Sequence, residues 1–176
     1  MSRKGNWILK PKYYKLYINK INNTKDYLLI SYQDGDQRGK LIVNKNTNKK
    51  INLDNNSVIY GYYNDIFLVK NKNLNLYINS QGDIIHSTKA KLYYFESKYG
   101  MASLANGDIY LIDKSGTVYL KDSGYDHIYQ TVKNDHFVFS KDGSYGISDI
   151  EGNIKTKRKY NCISKFEHGI ASACFN

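Results

Sequence analysis

Apolar residues in this chain come in short clusters set between Gly, Asn, Asp and Lys, and nowhere in a stripe of helical period. Ile66-Phe67-Leu68-Val69, Tyr110-Leu111-Ile112, His136-Phe137-Val138-Phe139 and the small-residue run Gly169 to Phe175 are β-branched, aromatic or small residues bounded by turn formers, which predicts short strands. No window of helical length keeps its apolar positions 3.6 residues apart. Even Ser87 to Tyr99, the most helix-tolerant piece, has a strand imposed at Leu92 to Phe95 by the register described next. The predicted class is all-β, with three or four short strands per repeating unit.

The repetition shows as fixed offsets. A Tyr-x-x-Ile step reaches its last position at Leu16, Val58, Tyr93, Ile128 and Ile163, with spacings of 42, 35, 35 and 35 residues. The start of the following strand falls at Asp26, Asp65, Gly100, Asp135 and Gly169, with spacings of 39, 35, 35 and 34. A turn in mid-unit reads Asn79-Ser80-Gln81-Gly82, Asp113-Lys114-Ser115-Gly116 and Asp149-Ile150-Glu151-Gly152, with Asn44 to Lys49 as a glycine-free version in the longest copy. Glycine suits the end of such a turn because a tight hairpin needs a residue at positive φ. The units run over 26–64, 65–99, 100–134 and 135–168, with 169–176 plus 1–25 as a fifth, all within one predicted domain, 1–176.

The pattern Tyr145-Gly146-Ile147-x-Asp149-x-x-Gly152-x-Ile154, followed by Tyr160-x-x-Ile163-x-x-Phe166-x-x-Gly169-x-Ala171, resembles the WG (KWG) repeat family of bacterial β-repeat proteins. The likeness is good over Gly100 to Ala173 and faint before it, and the Trp-Gly pair stands as Tyr145-Gly146 in one copy and Ile109-Tyr110 in another. The resemblance implies a non-enzymatic binding scaffold and no particular ligand. The two ends argue for closure. A shift of 147 residues lays Gly5-Asn6-Trp7-Ile8 on Gly152-Asn153-Ile154-Lys155 and Tyr13 to Leu16 on Tyr160 to Ile163, so the N-terminus completes the unit that the C-terminus begins. An open stack would want polar capping repeats, whereas a propeller is commonly closed by a blade drawn from both termini. The expectation is a five-bladed β-propeller of about 35-residue repeats, its ring closed by the shared blade.

Composition narrows the setting. The chain has 176 residues, 41% hydrophobic, enough for a core of its own. No apolar run approaches a membrane span, and Met1 to Tyr14 lacks the apolar centre of a signal peptide, so a cytoplasmic location is expected. Cys162 and Cys174 read as two small core-facing residues in a reducing compartment. Net charge is +10, from 23 Lys and only 3 Arg in a chain with 20 Asn, 19 Ile and 18 Tyr. All four of Lys, Asn, Ile and Tyr come from A/T-rich codons, so part of that charge reflects base composition.

Candidate chemistry is sparse. His86, His127, His136 and His168 fall at different places in the unit with no ligand-like spacing, so no metal or cofactor is expected. Asp83, Asp113, Asp149 and Glu151 could be imagined as acid/base pairs, but they sit beside the turn glycines, where Asp and Asn serve the turn itself. No catalytic constellation emerges, and the chain reads as a non-enzyme.

The basic residues are distributed locally. No acidic residue precedes Asp26, while Arg3, Lys4, Lys10, Lys12, Lys15, Lys20 and Lys25 all do, and a second acid-free run holds Lys155, Lys157, Arg158, Lys159 and Lys165. The register lays Lys10 on Lys157 and Lys12 on Lys159, and alternation puts Lys155, Lys157 and Lys159 on one strand face. With Tyr13, Tyr14, Tyr17 and Tyr160 nearby, the expected binding face comprises Lys10, Lys12, Lys15, Lys155, Lys157, Arg158, Lys159, Tyr13 and Tyr14. Three uses of it stay open: docking a protein partner, inhibiting a nucleic-acid-guided nuclease in the manner of an anti-CRISPR protein, and direct binding of RNA or DNA. The scarcity of Arg weighs against the last. A plain solvated edge, with Lys and Pro11 discouraging strand pairing, would look the same.

Overall fold

The computed structural model describes residues 15–95, 98–132, 135–156, 160–164, 166–167 and 170–175, with the side chains of 130–132 left aside. It is all-β, in antiparallel sheets whose strands follow chain order. The chain divides into two compact units, Met1–Lys89 and Ala90–Asn176.

The first unit holds two four-stranded sheets. One is the meander β1 (Lys15–Lys20), β2 (Tyr27–Asp34), β3 (Gln37–Asn44) and β4 (Lys50–Leu53), and the other is β5 (Val58–Tyr63), β6 (Ile66–Asn71), β7 (Leu74–Asn79) and β8 (Ile84–Thr88). Strand β3 shows how alternation builds the interior. Ile42 points into a cluster with Ile21, Ile51, Phe67, Val69, Leu76 and Ile78, while its neighbours Leu41 and Val43 face the other way and pack with Ile30. Both faces of that strand are therefore core, which its unbroken Leu-Ile-Val run anticipates. Tyr27, at the start of β2, brings its ring to 5.0 Å from Phe67 and 4.9 Å from Tyr62.

The second unit repeats the scheme with shorter strands. Its first sheet is β9 (Lys91–Leu92), β10 (Tyr99–Ser103), β11 (Ile109–Asp113) and β12 (Val118–Tyr119). Strands β13 (His127–Val132), β14 (His136–Lys141) and β15 (Ser144–Asp149) form the next, and β16 (Cys162–Ile163) with β17 (Ala173–Cys174) forms a two-stranded ribbon. The core gathers Ile109, Leu111, Leu120, Tyr125, Ile128, Phe137 and Phe139. Tyr99 packs edge-on against Phe137 at 5.5 Å, in the same role that Tyr27 plays against Phe67. The strand expected at Leu92 to Phe95 is confined to Lys91–Leu92, although the Tyr93 N–H continues the ladder to the Met101 carbonyl at 2.8 Å.

Sequence and structure agree most closely at the turns. In the three glycine-closed copies the first residue's N–H donates to the carbonyl four positions on, and the glycine N–H donates back to the first carbonyl: 3.0 and 3.0 Å at Asn79, 3.0 and 3.0 Å at Asp113, 3.0 and 3.1 Å at Asp149. Gly82, Gly116 and Gly152 stand at φ +98°, +91° and +87°. In the longer copy Asn48 takes the left-handed conformation at φ +60° and donates its N–H to the Asn44 carbonyl at 2.9 Å. Asparagine tolerates that region better than other non-glycine residues. The sheets begin one strand earlier than the sequence units: Leu16, Val58, Ile128 and Ile163 lie in a first strand, each contributed by the end of the preceding unit.

The cysteines overturn their expectation. Cys162 and Cys174 are directly opposed across the β16–β17 ribbon, 5.2 Å apart at Cα, and are joined as a disulfide. Cys162 is exposed and Cys174 half-buried, so neither is a core-facing thiol. The two strands are too short to bury a face, and the cross-link takes the place of a core there.

Candidate binding surface

Most of the expected basic face lies outside the described residues: Lys10, Lys12, Tyr13, Tyr14, Lys157, Arg158 and Lys159. The two that are described belong to different units, Lys15 opening β1 and Lys155 following β15. Lys155 is not a freely presented cation. Its ammonium sits 2.6 Å from the Asp149 carboxylate, and that hydrogen bond, reinforced by those from Asn153, holds the Asp149 carboxyl well below the usual range despite its partial burial.

Two other acidic candidates, Asp113 and Asp83, are occupied too. Asp113 accepts hydrogen bonds from the Ser115 N–H at 2.8 Å, the Thr117 N–H at 3.0 Å and the Tyr119 hydroxyl at 3.0 Å. Burial pushes its carboxyl up, and those donors more than offset the push, so it too lies below the ordinary value. Asp83 accepts from the Asn79 side-chain amide at 3.0 Å. Each is a turn acceptor, and Asp113 and Asp149, held in their ionised form, are poor general acids. Among the described residues, no group of three or more His, Cys, Asp or Glu side chains is arranged to hold a metal ion.

Strand β1 differs from its counterparts. All six of its residues, Lys15-Leu16-Tyr17-Ile18-Asn19-Lys20, are exposed. At the matching repeat position Ile128 is 6% exposed, whereas Leu16 and Val58 are 43% and 49% exposed; it is the exposure of the whole strand that is peculiar to β1. Alternation divides β1 into two surfaces. Leu16 and Ile18 lie on the face shared with Tyr32 and Ile30, their cross-strand partners. Lys15 and Tyr17 lie on the opposite face with Gln33 and Ser31, where a cleft of about 290 Å³ also takes in Arg38. Tyr17 is 63% exposed, unlike Tyr27, Tyr62 and Tyr99, whose rings pack on phenylalanines.

Gly39 shapes the Leu16 and Ile18 face. It pairs with Tyr32 across β2 and β3, and a Cβ there would come within 2.5 Å of the Tyr32 ring. The missing side chain lets the phenol lie flat over β3. Sequence reasoning picked out Lys15 and noted Tyr17 as a neighbour, but missed Arg38 and the apolar pair Leu16 and Ile18. The available signal was the Leu-Tyr-Ile run between two lysines, unusual for a strand with no polar face.

No protein-family profile matches the chain, and no curated protein matches its sequence. No helix of the described structure is long and apolar enough to cross a membrane.

Proposed function

We propose that this chain is a non-catalytic, WG-repeat-like β-propeller of five blades that binds a protein partner through a cationic, aromatic surface. The observation that carries the reading is the cleft on β1, β2 and β3, where the exposed ring of Tyr17 stands beside Lys15 and Arg38. An exposed aromatic between a lysine and an arginine is the composition of a binding hot spot rather than of a solvated edge. The preferred occupant is an acidic segment of a partner protein, its carboxylates meeting Arg38 and Lys15 and an apolar side chain lying on Tyr17. The expected basic face of Lys10, Lys12, Lys155, Lys157, Arg158 and Lys159, with Tyr13 and Tyr14, remains part of the same proposal.

The ring closure belongs to the same proposal, with a fifth blade drawn from 169–176 and 1–25. Five successive sheets, four of them with a repeat position in the first strand and the third with Tyr93 just after it, support the count of blades. A cytoplasmic setting belongs to the same proposal. Glutathione keeps exposed thiols reduced there, so in the cell the Cys162/Cys174 ribbon would stand as the dithiol.

Fluorescence anisotropy tests the reading with three labelled probes, an acidic Glu/Leu peptide, single-stranded RNA and duplex DNA, at about 150 mM salt. The peptide is expected to bind, and Tyr17→Ala combined with Arg38→Glu to abolish that binding without lowering Tm. Nucleic acid that stays bound at that salt while the peptide does not would replace the protein partner with an RNA- or DNA-binding role.

A further inference from the structure

The loop joining β12 to β13 is folded in an uncommon way. Leu120, Asp122 and Gly124 stand at φ +59°, +63° and +65°, alternating with Lys121 and Ser123, which do not share that conformation. A buried leucine in the left-handed region is unfavourable by about 1–2 kcal/mol relative to an ordinary backbone, and such outliers concentrate where a site is being shaped. Alternating conformations of this kind turn successive peptide N–H groups toward one side, forming a concavity suited to anions. Among the described residues, the N–H groups of Lys121, Asp122 and Gly124 have no hydrogen-bond acceptor, and the Ser123 N–H reaches the Leu120 carbonyl at 3.3 Å.

This loop forms a wall of a cleft of about 420 Å³, lined also by Lys141, Glu151 and Ile154. Lys141 is anchored rather than waving in solvent: its ammonium donates to the Ser123 carbonyl at 3.2 Å. It lies so near Gly124 that a Cβ there would stand 2.9 Å from it. Ser123 Oγ is buried with no hydrogen-bond partner. Lys121 and Lys141 against Glu151 leave a net lining charge of +1. Leu120 and the half-exposed Ile154 supply an apolar side.

We propose that this cleft binds a small phosphomonoester, its phosphate held by the N–H groups of Lys121, Asp122 and Gly124, Ser123 Oγ and the ammonium groups of Lys121 and Lys141. A group with several acceptor oxygens matches convergent N–H donors and two cations, and these charge-assisted bonds are the strong kind. The volume exceeds what inorganic phosphate fills and falls in the range of small-molecule sites. The remainder of the ligand lies against Leu120 and Ile154, and Glu151 accepts from a hydroxyl or amine on it. The site belongs to the second unit and does not depend on the docking cleft of β1.

The test is an amide NMR titration of the whole chain with inorganic phosphate and with phenyl phosphate at about 150 mM salt. Saturable shifts of the Ser123 and Gly124 amides are expected, tighter for phenyl phosphate. Lys141→Met and Ser123→Ala should each weaken binding roughly tenfold or more. Glu151→Gln should tighten inorganic phosphate, and Lys72→Met, in the β6–β7 turn, should change nothing. Absence of saturation by about 10 mM ligand, or equal weakening by Lys72→Met, would overturn the assignment. Should Lys141→Met fail to fold, Ser123→Ala and Glu151→Gln still decide it. Neither result touches the peptide-binding reading, whose variants lie in the other unit.

Discussion

Asp149 and Lys155 share an ion pair at 2.6 Å across the end of the mid-unit turn. Asp149 also accepts the Asn153 N–H at 2.8 Å and its side-chain amide at 3.0 Å. A lysine expected on a binding face is thus committed to folding, and the carboxylate beside it to holding a turn.

This pair sets an acid response. The folded Asp149 carboxyl is depressed by Lys155 first and by Asn153 next, so its contribution is present above the ordinary aspartate value near 3.9 and is lost as pH falls through the lower folded value. In a carboxyl-carbon NMR titration Asp149 is expected to stay ionised after exposed aspartates have protonated. Lys155→Met should move its titration up toward theirs. An unmoved Asp149 would mean that Asn153 alone holds the carboxylate.

Alkaline conditions act through tyrosines. Tyr99 is pushed up to about 12, by burial and then by the nearby Asp135, and Tyr62 is raised further by burial and its hydrogen bond to Asp65. A raised phenol favours the neutral form in the folded state, so stability falls as pH rises above the ordinary tyrosine value near 10. Tyrosinate absorbance should show these rings still neutral after ordinary exposed tyrosines have ionised. Tyr62→Phe should cost about 1 kcal/mol from the lost bond to Asp65.

The left-handed turn residues predict opposite outcomes for similar changes. Asn48→Gly should be tolerated or slightly stabilising, since φ +60° suits glycine at least as well. Gly82→Ala should cost roughly 1–2 kcal/mol, because φ is +98° and a Cβ would meet Ile51 at 3.3 Å. Chemical denaturation of both variants checks the pair.

Truncating Phe67, fully buried between the two sheets of the first unit, should cost about 3–5 kcal/mol as Phe67→Ala. Leu74→Ala, at an exposed position of the same sheet, should change Tm little by the same measurement.

The ribbon supplies a redox prediction. Closing a loop between residues 12 apart removes unfolded-state entropy worth roughly 3 kcal/mol. Reductant, or Cys162→Ser, should therefore loosen β16 and β17, read as faster amide exchange at Ile163 and Ala173. Thiol trapping in cells would show which form prevails there.

What could be read from the sequence followed from backbone demands. Gly82, Gly116 and Gly152 marked the turns because few other residues accept that conformation, and the regular spacing of Val58, Ile128 and Ile163 marked the first strands. The glycine-free turn Asn44 to Lys49 was read from its register, with Asn48 meeting the same demand, whereas Leu120 escaped because nothing about a leucine signals a left-handed backbone. The cysteines were misread for want of a register between two strands of two residues each. For the binding surface, lysine counts could not show that Lys155 is tied to Asp149. That pairing depends on which carboxylate a turn brings within reach.

The one-strand offset between repeat and sheet carries a consequence for how such a chain can change length. Because every sheet opens with a strand encoded in the preceding unit, duplication or loss of a whole unit leaves each junction with a complete partner on either side. A gene gaining one copy would lengthen the array without orphaning a strand, whereas a cut placed between sheets would strand the turn geometry of both neighbours. Interlocking of this kind ties folding cooperativity to inheritance: neighbouring units are joined by hydrogen bonds before they are joined by packing.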